Sequence, residues 1–183
     1  MISGLSLALA LLAGGLLLAQ DAFKSGLQPG ETLPGIFEPL NVTGEYVGEK
    51  HCLICENGLN PVVMIFARDM SDPLLRLLVK LDAATAKNRA SEMGSFVVFL
   101  SDKEGLNKQL AAIAKKNALK HVVLSIDEPA SVSDFKVAKD ADVTVVLYTK
   151  HIVKANHAFK KGELTDKAIE KIVADLPKIL PAK

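Results

Sequence analysis

The stretch VVMIFARDMSDPLLRLLVKL, residues 62–81, decides the fold. Val62–Phe66 is an unbroken apolar run, the pattern of a strand buried on both faces rather than the alternation of a strand with one wet face. Asp72-Pro73 then opens a helix. Asp72 is placed to cap the free N–H groups, and Pro73 suits the first helical position because its missing N–H is not needed there. Leu74, Leu77, Leu78 and Leu81 recur at i, i+3, i+4 and i+7, one face of a helix. A doubly buried strand running into a one-faced helix is the first half of a strand–helix–strand unit.

The unit recurs downstream. Phe96–Leu100 is a second continuous apolar run, Leu106, Leu110, Ile113 and Ala114 share a helical face, and Val122–Ile126 is a third strand. Such alternation predicts parallel strands covered on both sides and joined by right-handed crossovers. A weaker helical segment at Ser131–Lys139 follows. Val143–Tyr148 and Ile152–Phe159, separated by a break at Thr149-Lys150, predict a hairpin, which makes the sheet mixed. The last helix has Thr165 as cap, Leu164 and Ile169 as an apolar staple, and Ile169, Ile172, Val173, Leu176 and Leu180 on one face. Pro177 predicts a stop or kink near its end.

Upstream, residues 23–61 are rich in Gly and Pro and read as a loop-and-hairpin lead-in. The lead-in and the core of residues 62–183 make one domain. Ile2–Ala19 carries no charge, and residues 1–22 read as an export signal with Ala19 or Ala22 as the last residue removed. The same 18 uncharged residues are just long enough to span a bilayer, so a retained N-terminal anchor is the alternative. The expected location is therefore periplasmic or extracellular, with membrane contact only through that segment. The whole chain has 183 residues, 22 Lys plus Arg against 21 Asp plus Glu, and 49% apolar residues, enough for a sizeable core. With a net charge of +1, no Trp and two Tyr, it has little from which to build a phosphate-tracking or base-stacking surface, so no nucleic-acid partner is expected.

The order of elements, with the lead-in Gly30-Glu31-Thr32-Leu33-Pro34, Phe37 and Gly44, the Val62–Phe66 strand, Phe96–Asp102 and Lys116–Asp127, resembles the thioredoxin-like superfamily over roughly Leu27–Leu180. The strand–helix–strand between Phe96 and Ile126 resembles its redoxin branch, which includes peroxiredoxins and exported thioredoxin-like proteins. The resemblance implies a three-layer α/β sandwich with a mixed central sheet flanked by helices, preceded by a β-hairpin lead-in. It also implies an attacking cysteine just after the first central strand and a cis-proline before the hairpin strand. Here the loop after that strand reads Ala67-Arg68-Asp69-Met70-Ser71-Asp72, without cysteine, and no proline stands at Asp142-Val143. Carboxylates at Asp69 and Asp72 sit where a thiolate would gain least, so neither a peroxidase nor an ordinary thioredoxin reaction is expected at that corner.

The two cysteines stand elsewhere, in His51-Cys52-Leu53-Ile54-Cys55-Glu56-Asn57-Gly58, before the Val62 strand rather than after it. Asn57-Gly58 suggests a tight turn and so a hairpin loop around the pair. Three readings of the C-x-x-C are open. Cys52 and Cys55 form a catalytic dithiol that exchanges with a protein thiol or disulfide partner, with His51 and Lys50 as cationic neighbours and Glu56 opposing them. On that reading Cys52 attacks if it is the more exposed of the two. Alternatively the pair is a structural disulfide that staples the lead-in of a non-catalytic binding module. The third reading is a copper or zinc site completed by His51, His151 or His157. No cofactor is expected. His121, His151 and His157 are expected to be exposed, Lys115-Lys116 and Lys160-Lys161 solvated, and Met64 and Met70 packed. Arg68 and Asp69 are kept as a shallow polar cleft able to hold a partner.

Overall fold

The computed structural model describes residues 23–182, so the expected export signal lies outside the described residues. A six-stranded mixed sheet runs in the order β1-β4-β3-β2-β5-β6. Its strands are β1 (Leu40–Asn41), β2 (Val62–Ala67), β3 (Gly94–Leu100), β4 (Val122–Asp127), β5 (Val143–Thr149) and β6 (Ile152–Phe159). The helices are α1 (Leu53–Asn57), α2 (Asp72–Lys87), α3 (Leu106–Lys116) and α4 (Asp166–Ala174), with short 3-10 segments at Arg89–Ser91, Pro129–Phe135 and Leu176–Lys178. β2 pairs in parallel with β3 and antiparallel with β5, and β5 pairs antiparallel with β6. The expected mixed α/β sandwich is present. Among the described residues no helix is long and apolar enough to cross a membrane.

The two faces of the sheet are covered differently. β2 to β3 and β3 to β4 step the same way across the sheet, so their crossovers carry α2 and α3 to one face, where α4 joins them. Leu74, Leu77, Leu78, Leu81, Leu110, Ile169 and Ile172 pack there on Val63, Ile65, Val97 and Val145. The opposite face, with Val62, Met64, Phe66, Phe96 and Tyr148, has no long helix among the described residues. The lead-in residues Leu27, Leu33 and Phe37, the short α1 and the 3-10 segment with Val132 and Phe135 cover it instead. Phe37, Phe66 and Phe135 meet edge-on or tilted, with ring centroids 5.1–6.1 Å apart.

Several local expectations shift. Ser71, not Asp72, caps α2 by accepting the Leu74 N–H, which moves Pro73 to the second helical position. The hairpin turns at Lys150-His151 rather than Thr149-Lys150, and both residues adopt positive φ (53° and 59°). That is the two-residue turn whose twist matches paired strands, built here without glycine. Thr165 caps α4 as expected, Leu164 and Ile169 are both buried, and the α-helix ends at Ala174, before Pro177. The lead-in does fold back on itself, since Asn41 N–H donates to Glu49 and Gly48 N–H to Asn41.

Gly94 has no room for a side chain. A Cβ there would lie 1.8 Å from Asn57 Oδ1, because α1 sits directly on the start of β3. Gly94→Ala should therefore destabilise the fold by roughly 1–3 kcal/mol, the usual range for overpacking, with part of the loss recovered in an Asn57→Ala background. Urea unfolding midpoints of the two variants test this.

Candidate functional site

The two cysteines form a disulfide, with Cα atoms 5.2 Å apart. They lie on a helix, not in a hairpin loop. Cys52 is the N-cap of α1 and its Sγ accepts the Cys55 N–H at 3.2 Å. Asn57-Gly58 is the helix end: Gly58 takes positive φ and its N–H donates to Ile54 and Cys55, while Asn57 Nδ2 donates to the Leu53 carbonyl at 2.7 Å. One helical turn capped by a sulfur has too few residues to show a period, which is why it reads as a turn in the sequence.

α1 is anchored by its apolar side. Leu53 and Ile54 are buried in the second core cluster, and Cys52, only 6% exposed, belongs to the same cluster. Cys55, by contrast, is an exposed residue. The condition for Cys52 to be the attacking sulfur, greater exposure, is therefore not met. Beyond the helix, the Leu59 carbonyl accepts the Lys150 N–H at 3.0 Å, which ties α1 to the β5–β6 turn.

His51 flanks the pair in an unexpected way. Its ring stacks on Tyr46 at a centroid distance of 3.6 Å, and its Nε2 lies 3.3 Å from Glu56 Oε2. That is close enough for an ion pair when the ring is protonated but lacks hydrogen-bond geometry, so Nε2 has no hydrogen-bond partner. Glu56 thus engages His51 instead of simply opposing it. Tyr46 could not be assigned this role from the sequence, because a stack across a hairpin leaves no spacing signal. The buried side-chain atoms without hydrogen-bond partners among the described residues are Asn41 Oδ1, His51 Nε2, Tyr148 Oη and His151 Nε2. Three of the four border α1: His51 immediately precedes Cys52, Tyr148 belongs to the core cluster that holds Cys52, and His151 lies in the β5–β6 turn tied to Leu59 through Lys150, whereas Asn41 stands apart on β1. Unsatisfied buried groups are uncommon, and three of them around α1 mark this end of the sheet as a candidate site.

The corner at the far end of β2, where the resemblance places the reacting cysteine, is closed. Arg68 N–H donates to Asp142, and its guanidinium donates to the Ala138 and Ala141 carbonyls at 3.2 and 3.3 Å. Asp69 pairs with Lys103. Burial, reinforced by Asp69 and opposed by Lys161 and Arg68, pushes the Asp142 carboxyl above its usual range. A groove of about 400 Å³ lined by Asp69, Met70, Asp142 and Lys161 remains beside it. No cis peptide bond occurs among the described residues.

The histidines do not converge on the sulfurs. His157 pairs with Asp175, Nε2 to Oδ2 3.0 Å, with only 9% of its side chain exposed, contrary to the expected exposure, and His151 is half-buried with Nε2 covered. With both sulfurs in the disulfide and His157 committed to Asp175, the described residues contain no group of three or more His, Cys, Asp or Glu placed to hold a metal ion. Lys115, Lys116, Lys160 and Lys161 are exposed as expected, and Met64 is core.

No family model and no curated protein matches the chain. Solved structures do. A protein from Chlorobium tepidum provisionally named thiol:disulfide interchange protein DsbE is 18% identical with a TM-score of 0.58, over 82% of this chain and 99% of that one. A provisionally named protein disulfide isomerase from Bacteroides thetaiotaomicron is 15% identical with a TM-score of 0.58, over 85% and 95%. Peroxidoxin BcpB from Mycobacterium tuberculosis is 16% identical with a TM-score of 0.57, over 81% and 97%. The chain has the thioredoxin-like fold. Likeness at this identity shows the architecture, and the chemistry rests on the residues above.

His157 generates a pH prediction. Burial, the largest influence, holds its pKa below the usual 6.5 despite the attraction of Asp175. Asp175 stays ionised because the Lys178 hydrogen bond, its charge and His157 together outweigh the upward push of burial. The native state therefore binds fewer protons at His157 than the unfolded chain does, so this contribution is present above about pH 6.5 and is lost as pH falls toward the folded value. The melting temperature should rise from pH 5 to pH 7, with a shallower rise in His157→Gln, as scanning calorimetry would show.

Proposed function

We propose that the chain is an exported protein that exchanges thiols and disulfides with a protein partner through Cys52 and Cys55. The lead-in and core act as one domain, and residues 1–22 direct export. The observation that carries this reading is the exposure of Cys55 in a disulfide that closes only four residues. A bridge that spans a single helical turn removes little freedom from the unfolded chain, about 2 kcal/mol in the loop-entropy account, and links nothing distant. Accessibility with little structural purpose suits exchange better than bracing. The names of two of the fold relatives, an interchange protein and a disulfide isomerase, agree with this chemistry.

The second reading, a non-catalytic binding module with a structural disulfide, is favoured by the closed corner, where Arg68 occupies the backbone carbonyls beside β5. The two readings differ in one number. Exchange predicts a reduction potential of roughly −120 to −270 mV for the pair, whereas a structural bridge lies below about −300 mV. Equilibration in glutathione or dithiothreitol buffers, with alkylated thiols counted by mass, decides between them. On the exchange reading, reduction lowers the unfolding free energy by about 2 kcal/mol or less, and Cys52→Ser or Cys55→Ser abolishes dithiol-dependent insulin reduction. A loss of several kcal/mol with unchanged insulin reduction would support the brace.

A further inference from the structure

We propose that Cys55 is the sulfur that exchanges with the partner and Cys52 the resolving thiol, the C-terminal cysteine of the motif acting first; this rests on the exchange reading above. An incoming thiolate must reach one sulfur of the bridge and expel the other. Cys55 Sγ belongs to an exposed residue on the solvent side of α1, whereas Cys52, 6% exposed, lies in the apolar cluster with Leu53 and Ile54. Access therefore selects Cys55 for attack and makes Cys52 the leaving group.

The geometry at Cys52 suits departure. Its Sγ already accepts the Cys55 N–H at 3.2 Å, so the electron pair released on it meets a donor that needs no rearrangement. A hydrogen bond to the charged form lowers a thiol pKa, and a lower leaving-group pKa speeds exchange. His51, immediately before Cys52 and fixed by its stack on Tyr46, adds a cation when protonated, with Glu56 opposite it. Without these contacts a thiolate in that apolar cluster would be disfavoured.

A partner thiolate bonds to Cys55 Sγ, the Cys52–Cys55 bond breaks, and its electron pair remains on Cys52 Sγ. The partner's second thiolate then attacks the partner sulfur of the mixed disulfide and expels Cys55 as thiolate. The partner leaves oxidised, and its two protons end on Cys52 and Cys55. In the opposite direction Cys55 thiolate attacks a partner disulfide, and Cys52 thiolate then attacks Cys55 Sγ to release the reduced partner.

The test uses the whole protein, reduced with dithiothreitol, desalted and pulsed with limiting iodoacetamide at pH 7 before peptide mass mapping. Cys55 should be alkylated faster than Cys52 by about tenfold or more, as the contrast between an accessible and a buried thiol implies. With glutathione disulfide as the probe, Cys52→Ser should form the mixed disulfide readily and Cys55→Ser should lag by a similar factor. Equal labelling, or Cys52 labelled first, overturns the assignment, and the wild-type measurement needs no variant to fold. Insulin reduction by wild type with Cys52 labelled first rejects the order and leaves exchange standing. Absence of insulin reduction, whatever the labelling, rejects exchange and the order with it.

Discussion

The rest of the structure depends on β2 being paired on both edges and buried on both faces. Every residue from Val62 to Ala67 is at most 1% exposed, with β3 alongside in parallel and β5 antiparallel. A strand so placed has no solvent to satisfy its backbone, so its neighbours must supply a full ladder on each side. Its even and odd side chains each need a cover. Val63, Ile65 and Ala67 have α2, α3 and α4; Val62, Met64 and Phe66 have the lead-in, α1 and the 3-10 segment. Because the second cover is built from short pieces, it can present one exposed cysteine on α1 without opening the core.

The two ends of β2 also divide the chemistry. At its C-terminal end Arg68 fills the space beside β5 and donates to Ala138 and Ala141, and Asp69 and Asp142 bring carboxylates near one another. That environment would raise a thiol pKa rather than lower it. At its N-terminal end the preceding segment carries both cysteines and a stacked histidine whose Nε2 is buried without a hydrogen-bond partner. Redox chemistry has a physical basis at this end and lacks one at the other.

Legibility in the sequence followed the length over which a pattern repeats. β2, β3 and β4 announced themselves as continuous apolar runs, and α2 and α4 as one-faced leucine and isoleucine stripes, because a buried face imposes a period over many residues. α1 did not. Its five residues bury only Leu53 and Ile54, its cap is a sulfur, and Asn57-Gly58 serves a helix end as readily as a hairpin. Ser71 took the cap from Asp72 one position away because either side chain can accept a helix N–H. The Lys150-His151 turn escaped because its positive φ values are normally signalled by Asn or Gly. The cysteines were legible as a pair, but their unequal exposure was not, since it depends on which side of α1 faces the core cluster that holds Leu53 and Ile54.

That inequality bears on how one fold can hold both redox states. Fully burying a Leu or Ile side chain contributes roughly 1.5–3 kcal/mol, and Leu53 and Ile54 are 1% and 5% exposed. Together they outweigh the ~2 kcal/mol that a four-residue bridge contributes through loop closure. Asn57 against Gly94, and Leu59 bonded to Lys150, hold the same segment from its other end without involving sulfur. On the exchange reading, these contacts keep α1 seated when the bridge opens, so that Cys52 and Cys55 stay apposed and the bond re-forms without refolding the lead-in. A disulfide whose surroundings are fixed by packing rather than by the bond itself can cycle, because the work of reduction is confined to one turn of helix.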